Sequence, residues 1–172
     1  KEKREKAGKQ FVDVGIAEEH AVAMISGIAK NGGKPVFGTN ATFIQRTYDQ
    51  VSQDLCINNN PATILLGYTS VTGLNDVTHL GIFAISAFKN IPNLVILAPT
   101  NKKEYMTMLN WSIEQKEHPV MILIPGNGVI DDERDTETDY TNSINKYKIE
   151  QLGEKVAIIA AGDFYQIGEK AV

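Results

Sequence analysis

Residues 93–124 read "NLVILAPTNKKEYMTMLNWSIEQKEHPVMILI". Two short runs, 93–98 and 119–124, are nearly continuous in branched apolar residues, as strands covered on both faces of a parallel sheet should be. Between them, Pro99-Thr100-Asn101 stops the first run and offers a cap for a helix over 101–115. That helix carries Tyr105, Met108, Leu109 and Trp111 on one apolar face. Strand, helix and strand in about 30 residues make a parallel crossover unit.

The same rhythm extends towards the N-terminus. Runs at 11–16 (FVDVGI), 34–39 (KPVFGT) and 62–67 (ATILLG) have strand character, with helical patterns over about 18–31, 42–57 and 79–89. Gly32-Gly33 gives the first of these helices a stop signal. The alternation predicts an α/β fold: a doubly wound, mostly parallel sheet of six or nearly six strands over about 8–125, with helices on both faces.

Composition sets outer limits. With 42% hydrophobic and 22% charged residues, the 172-residue chain has the balance of a globular protein with a sizeable core. A net charge of −4 supplies no basic field for nucleic acid. The single cysteine, Cys56, rules out an internal disulfide and argues against a cysteine metal site. No run approaches the roughly 18 apolar residues of a membrane span, and no leader pattern is visible; a cytoplasmic location is the expectation.

From 126 to 147 the composition turns acidic and polar ("GNGVIDDERDTETDYTNSINKY"), which reads as a linker or an excursion along the sheet edge. "KVAIIAAGDFYQIGEKAV" then restarts as strand, glycine turn and helix. The expected division is 1–128 as one domain, 129–150 as linker or excursion, and 151–172 as the start of a second α/β domain. The opening "KEKREKAGK", without an initiator Met, and the abrupt "GEKAV" are read as the ends of a piece of a longer protein.

At 11–25, "FVDVGIAEEHAVAMI", two acids meet a histidine between apolar segments. Acids in a first helical turn favour the helix dipole by about 0.3–1 kcal/mol, and that alone is sufficient reason for them. The apolar flanks add a second reading. At least one carboxylate is partly buried and then requires a partner or ligand. Successive helical side chains diverge by about 100°, so one glutamate faces the sheet edge and the other faces water. In open α/β sheets that edge is where ligands bind. No P-loop and no G-x-G-x-x-G turn follows any strand.

The stretch "DVGIAEEHAVAMISGIAKNGGKPVFGTNATFIQRTYDQVSQDL" resembles the pyrimidine-binding domain of transketolase-like thiamine diphosphate enzymes, with the 1-deoxy-D-xylulose-5-phosphate synthases nearest in pattern. Those synthases usually show "D-V-x-I-A-E-Q-H-A-V" followed by "S-x-F-L-Q-R-A-Y-D-Q-V". "THLGIFAISAFKNIPNLVILAPTNKKEYMTMLNWSIEQKEHPV" continues the likeness, which spans 11–128, and 155–172 looks like the opening of the family's C-terminal domain.

The resemblance implies roles for particular residues. Glu18 matches the family's catalytic glutamate, whose carboxyl hydrogen-bonds the aminopyrimidine ring nitrogen in the acid–base chemistry that activates the thiazolium C2. Phe43 matches the aromatic stacked on that ring, although core packing is its alternative, and Ile16 lies with them at the cofactor. His79 matches a histidine lining the site near cofactor and substrate, and a structural role is its alternative. Asn75 and Arg46 are candidates for the substrate; Arg46 reaches either a substrate phosphate or an acid such as Asp49. Glu19 falls where the synthases have Gln and reads as supporting or solvent-facing. His20 reads as supporting and His118 as structural.

The resemblance also implies thiamine diphosphate, with Mg2+ and the diphosphate held by a separate domain carrying "G-D-G" and a downstream Asn, which this chain lacks. It implies a homodimer whose site forms between that domain and this one of the partner subunit, so this piece alone is expected to be inactive. Helix 18–31 is an expected self-association face because its stretch "AVAMISGIA" (21–29) has almost no polar residue. The chain departs from the synthase pattern where "GLNDVTH" replaces "G-x-D-G-P-T-H", Asn75 taking the acidic position and Asp76 the glycine. Tyr68 stands where an arginine is common, and "MILIPGNG" lacks the arginines of "R-Y-P-R-G". Three functions follow: the synthase reaction, joining a two-carbon unit from pyruvate to glyceraldehyde 3-phosphate; transketolase-type ketol transfer; or a non-catalytic subunit.

Overall fold

The computed structural model describes residues 2–71, 76–137 and 139–172. Its centre is a four-stranded, wholly parallel sheet of β1 (Val36–Asn40), β2 (Thr63–Gly67), β3 (Val95–Leu97) and β4 (Val120–Ile124), in the order β1-β2-β4-β3. Helices α1 (Glu2–Ala7), α2 (Glu18–Lys30), α3 (Ala41–Ile44), α4 (Ala84–Phe88), α5 (Lys102–Glu114) and α6 (Tyr165–Lys170) accompany it. This is the expected doubly wound α/β architecture.

The period-two alternation of the strands divides the core between two faces. Ile64, Leu66, Met121 and Leu123 pack on one face with Val22 and Ile25 of α2 and Phe88 of α4. Val120, Ile122 and Leu97 turn to the other, against Met108 of α5 and Tyr140. Register reinforces this, because Ile64 lies beside Met121 and Leu65 beside Ile122. Ile64, Leu66, Met121, Ile122 and Phe88 are fully buried, and each such side chain contributes about 1.5–3 kcal/mol of transfer free energy.

The run at 11–16 is not a strand. Its side chains are exposed except for the partly covered Val14. A local turn defeats extension there: Gly15 sits at φ +64° and its N–H donates to Asp13 Oδ1 at 3.1 Å. Residues 155–160 likewise remain outside the sheet, with Ile159 exposed, whereas the turn at Gly162–Phe164 and α6 do form. The sheet has four strands rather than the six or nearly six expected over about 8–125. The helix expected over 42–57 is divided into α3, a 3-10 turn (Gln45–Thr47) and a π-helix (Gln50–Ile57). Thr47 Oγ1 and Ser52 Oγ both donate back to carbonyls three residues earlier, at 2.8 and 3.0 Å, a contact that bends helices.

Helix α2 also differs from its expectation as an association face. Ala21, Val22, Ile25, Ser26 and Ala29 turn inward, so most of its small and apolar residues serve this chain's own core. His20, Ala23, Gly27 and Ile28 remain outward.

The acidic run after β4 follows α5. Lys102 and Lys103 pair with Asp131 and Asp135 at 2.9 and 3.0 Å. Arg134 pairs with Asp132 at 2.7 Å and lies over the Tyr165 ring, 4.2 Å from its centroid. Tyr140 is buried against Trp111, whose Nε1–H donates to Thr141 Oγ1 at 3.2 Å.

Asn101 joins this strap to α5. It is fully buried, accepts the Glu104 N–H at 2.8 Å as the helix cap, and donates to Asp132. The Glu104 carboxylate reaches back to the Thr100 N–H at 2.7 Å, a reciprocal cap. Asn101→Ala removes the cap acceptor and Asp132's neutral donor together, and is expected to cost about 1–2 kcal/mol, read as a lowered urea midpoint.

Acid should loosen the strap. The Arg134 hydrogen bond first, then the Asn101 amide, holds the Asp132 carboxyl below its ordinary value of 3.8, and the Lys103 hydrogen bond does the same for Asp135. A carboxyl depressed on folding stabilises the fold above its unfolded value and loses that contribution as pH falls through the folded one. Fluorescence of Trp111, the chain's one tryptophan, should be flat from pH 8 to 5 and change below about pH 4. Asp132→Asn should give a similar change at neutral pH.

Candidate functional site

In a parallel sheet the carboxyl ends of the strands share one edge, and helices pack antiparallel to the strands they cover. The N-terminus of α2 therefore lies near the end of β1. Helix α3 begins directly at that end, with Asn40 extended at φ −91° and ψ 152°. Spacing then sorts its side chains. Ala41, Ile44 and Thr47, three residues apart, are buried, while Phe43 and Arg46 share the outward face.

Glu18, in the first turn of α2, is buried, whereas Glu19 is half-buried. Arg46 meets both. Its Nε donates to Glu19 Oε1 at 2.8 Å, and its Nη1 stands 3.6 Å from Glu18 Oε2. The second distance is beyond a hydrogen bond, and Glu18 Oε2 has no hydrogen-bond partner although it is shielded from solvent. A buried acceptor in this state costs about 1–3 kcal/mol. The ion pair weighed between Arg46 and Asp49 is not the one formed, because the 3-10 turn Gln45–Thr47 directs Arg46 towards α2.

Phe43 is 38% exposed, too open for a core residue. The edge of one ring meets the face of the other between Phe43 and His79, with centroids 5.5 Å apart. His79 Nδ1 lies 2.8 Å from Thr78 Oγ1 and 3.4 Å from Asp76 Oδ2. Asp76 in turn accepts the Thr78 N–H at 2.9 Å, the main cause holding its carboxyl below the usual range. Glu18 meets Arg46 and Phe43 meets His79, with Arg46 and Phe43 three residues apart on one outward face.

Ile16 does not close over this group; it is 87% exposed on the irregular segment before α2. Asn75 lies outside the described residues. His20 is exposed. His118 sits at the opposite strand end, before β4, 3.8 Å from Glu117.

Two features escaped the sequence reading. One is the double contact of Arg46, for which the only signal was the acid pair itself. The other is Gly81. A Cβ there would lie 1.5 Å from the Tyr68 carbonyl oxygen and 2.9 Å from Ala41 Cβ. The 3-10 turn Gly81–Phe83 consequently packs backbone to backbone on the end of β2, directly after His79 and against the start of α3. Tyr68 adopts a left-handed φ of +57° at this point.

The arrangement suits a flat heteroaromatic ring, with the exposed Phe43 ring as its platform and Glu18 Oε2 as acceptor for a ring N–H. It does not suit a metal: among the described residues no group of three or more His, Cys, Asp or Glu side chains converges. The Cys56 thiol, buried and pushed up to about 12 by desolvation, is inert. A cavity of about 200 Å³ lies farther along the edge, lined by Thr69, Ser70, Pro99, Pro125 and Phe164 among others. Glu18, Phe43 and His79 do not line it.

Residues 1–128 match the family described as "transketolase, pyrimidine binding domain". The chain belongs to that family. Among curated proteins it is 38% identical to the 1-deoxy-D-xylulose-5-phosphate synthase of Clostridium acetobutylicum over 92% of this chain and 25% of the relative. It is 40% identical to that of Clostridium perfringens over 96% of this chain and 26% of the relative. The chain thus spans about a quarter of the length of these relatives. Among solved structures, a split-gene transketolase described as an inactive β4 tetramer aligns with a TM-score of 0.62 at 19% identity, over 84% of this chain and 44% of that one. A Pichia stipitis transketolase in complex with sedoheptulose 7-phosphate aligns at 0.59 and 24%, over 66% and 17%. These structures share the family's fold. No described helix is long and apolar enough to cross a membrane.

Proposed function

We propose that this chain is the aminopyrimidine-binding part of a thiamine diphosphate-dependent transferase of the 1-deoxy-D-xylulose-5-phosphate synthase type, joining a two-carbon unit from pyruvate to glyceraldehyde 3-phosphate. The observation carrying this reading is Glu18 Oε2, buried and without a hydrogen-bond partner, 3.6 Å from Arg46, which shares the outward face of 41–47 with the exposed ring of Phe43. Relatives near 40% identity that bear the synthase name support the substrate assignment.

When bound, thiamine diphosphate would supply the thiazolium carbon that stabilises the transferred carbanion. The residues of this chain prepare for it. Phe43 offers its face to the pyrimidine ring and fixes the ring plane. Glu18 Oε2 accepts the ring-nitrogen proton and returns it, in a site dry enough to strengthen that contact. His79, held by Thr78 and Asp76, presents its free Nε2 side to the substrate. Arg46 is engaged by Glu19, so it is a weak candidate for a substrate phosphate.

The same reading takes 1–128 as the pyrimidine-binding domain, 129–150 as the strap along α5, and 151–172 as the opening unit of a further α/β domain. It places Mg2+ and the diphosphate on another domain of the longer protein, in a cytoplasmic homodimer. In the test, full-length protein is supplied with thiamine diphosphate, Mg2+, pyruvate and glyceraldehyde 3-phosphate. Carbon dioxide release matched by ketose phosphate formation is expected. Ketol transfer between sugar phosphates without carbon dioxide would replace the synthase reading by a transketolase one. Failure to bind thiamine diphosphate at all would overturn both.

A further inference from the structure

Arg46 stands between two carboxylates that are not equivalent. The Glu18 side chain is 11% exposed and the Glu19 side chain 36%. The guanidinium is aligned on the more exposed acid: it donates to Glu19 at 2.8 Å and stops 3.6 Å short of Glu18. The arrangement is unusual on energetic grounds, since the buried Glu18 Oε2 is the acceptor that lacks a partner, and a charge-assisted bond is worth more where water is excluded. Glu19 prevails because it is well held. The nearby backbone N–H first, then the Arg46 hydrogen bond, keep its carboxyl below the ordinary range, so it is ionised at neutral pH. Among the described residues no other ion pair reaches Glu18, Glu19 or Arg46; His20 and Asp49, the adjacent titratable groups on the two elements, make none with them.

We propose that Glu19 is a positioning residue that holds the Arg46 guanidinium off Glu18 and so sets the proton affinity of Glu18. This rests on the reading of Glu18 as the acid–base group. Without the Glu19 charge, the guanidinium has less than 1 Å to travel, as a rough comparison with the 2.7–2.9 Å of a charge-assisted bond indicates, before it bonds Glu18 Oε2. That bond would hold the Glu18 carboxyl ionised to lower pH. Removing Glu19 also removes a like charge next to Glu18, which acts in the same direction. Removing Arg46 acts in the opposite direction, because both carboxylates then lose their cation.

The test uses the full-length protein and the variants Glu19→Gln, Arg46→Met and Glu18→Gln. Proton uptake on binding thiamine diphosphate is measured by calorimetry in two buffers of different ionisation enthalpy from pH 5 to 9, beside the pH profile of turnover. The Glu18 step is defined as the one that disappears in Glu18→Gln. Its midpoint should fall by about one pH unit in Glu19→Gln and rise by about one in Arg46→Met, the lower end of the shift expected from a charge at this distance. Arg46→Lys should restore most of the original midpoint. A structural role for the pair would not give shifts of opposite sign, so unmoved midpoints, or two shifts in one direction, would overturn the proposal while leaving Glu18 as the acid–base group. If no step disappears in Glu18→Gln, the reading of Glu18 itself fails, and this proposal with it.

Discussion

Glu18→Gln in the full-length protein is expected to lower turnover by about 10²–10⁴-fold or more, the range typical of a positioned acid–base group. Glutamine keeps the size and burial of the side chain and can still accept a hydrogen bond, but it cannot exchange a proton with a ring nitrogen. Cofactor affinity should fall far less, because ring stacking on Phe43 is untouched and the diphosphate is proposed to bind elsewhere. Glu19→Gln should keep most of the turnover at its own optimum pH, since that side chain faces Arg46 and water rather than the buried side of α2. The measurement is steady-state turnover of both variants with saturating thiamine diphosphate. Equal losses, or a larger loss for Glu19→Gln, would mean that the wrong glutamate carries the proton.

The asymmetry of the acid pair illustrates what a sequence can specify. Two adjacent acids opening a helix between apolar segments already required one to face inward, and helical geometry supplied that inference. Which residue holds the other could not be read, because Arg46 is 27 positions away and reaches α2 only because α3 begins directly at the end of β1. The three-residue spacing through α3 and the 3-10 turn after it then turns Arg46 outward with Phe43.

Strand runs at the centre of the sheet were legible for a related reason. Residues 62–67 and 119–124 are covered on both faces, so their composition is nearly free of polar side chains. The runs at 11–16 and 155–160 have similar composition and form no strand. In the first, Asp13 and Gly15 make a turn in which the Asp13 carboxylate takes up the Gly15 N–H. Composition records the demand for burial, not the presence of a neighbouring strand to meet it. The reading of the acidic strap as a linker or edge excursion did not show its partners: Asp131 and Asp135 reach Lys102 and Lys103 of α5, and Asp132 pairs with Arg134.

Gly81→Ala is expected to damage both stability and site, although it adds one methyl group to a position with ordinary helical-side backbone. The obstacle is steric. The new carbon would fall 1.5 Å from the Tyr68 carbonyl oxygen and 2.6 Å from its carbon, and neither is the end of a flexible side chain. Backbone must move on one side or the other. Retreat of the turn at 81–83 would uncover Ala84 and Phe88, both fully buried, and would draw His79 away from Phe43. Displacement of Tyr68 would instead disturb the end of β2, where Gly67 pairs with both Asn40 and Ile124. Overpacking of this kind costs about 1–3 kcal/mol, and a backbone obstacle favours the upper end. At about 1.4 kcal/mol per factor of ten, the folded-to-unfolded ratio of the domain falls by roughly a hundredfold. Gly27→Ala is the control: nothing lies within 4 Å of its added carbon, and it sits inside α2, so about 0.5–1 kcal/mol of stabilisation is expected. Urea unfolding should move the two midpoints in opposite directions, and thiamine diphosphate affinity should drop in Gly81→Ala alone. A Gly81→Ala protein with the parent's midpoint and affinity would mean that the β2 end and the 81–83 turn are not packed backbone to backbone.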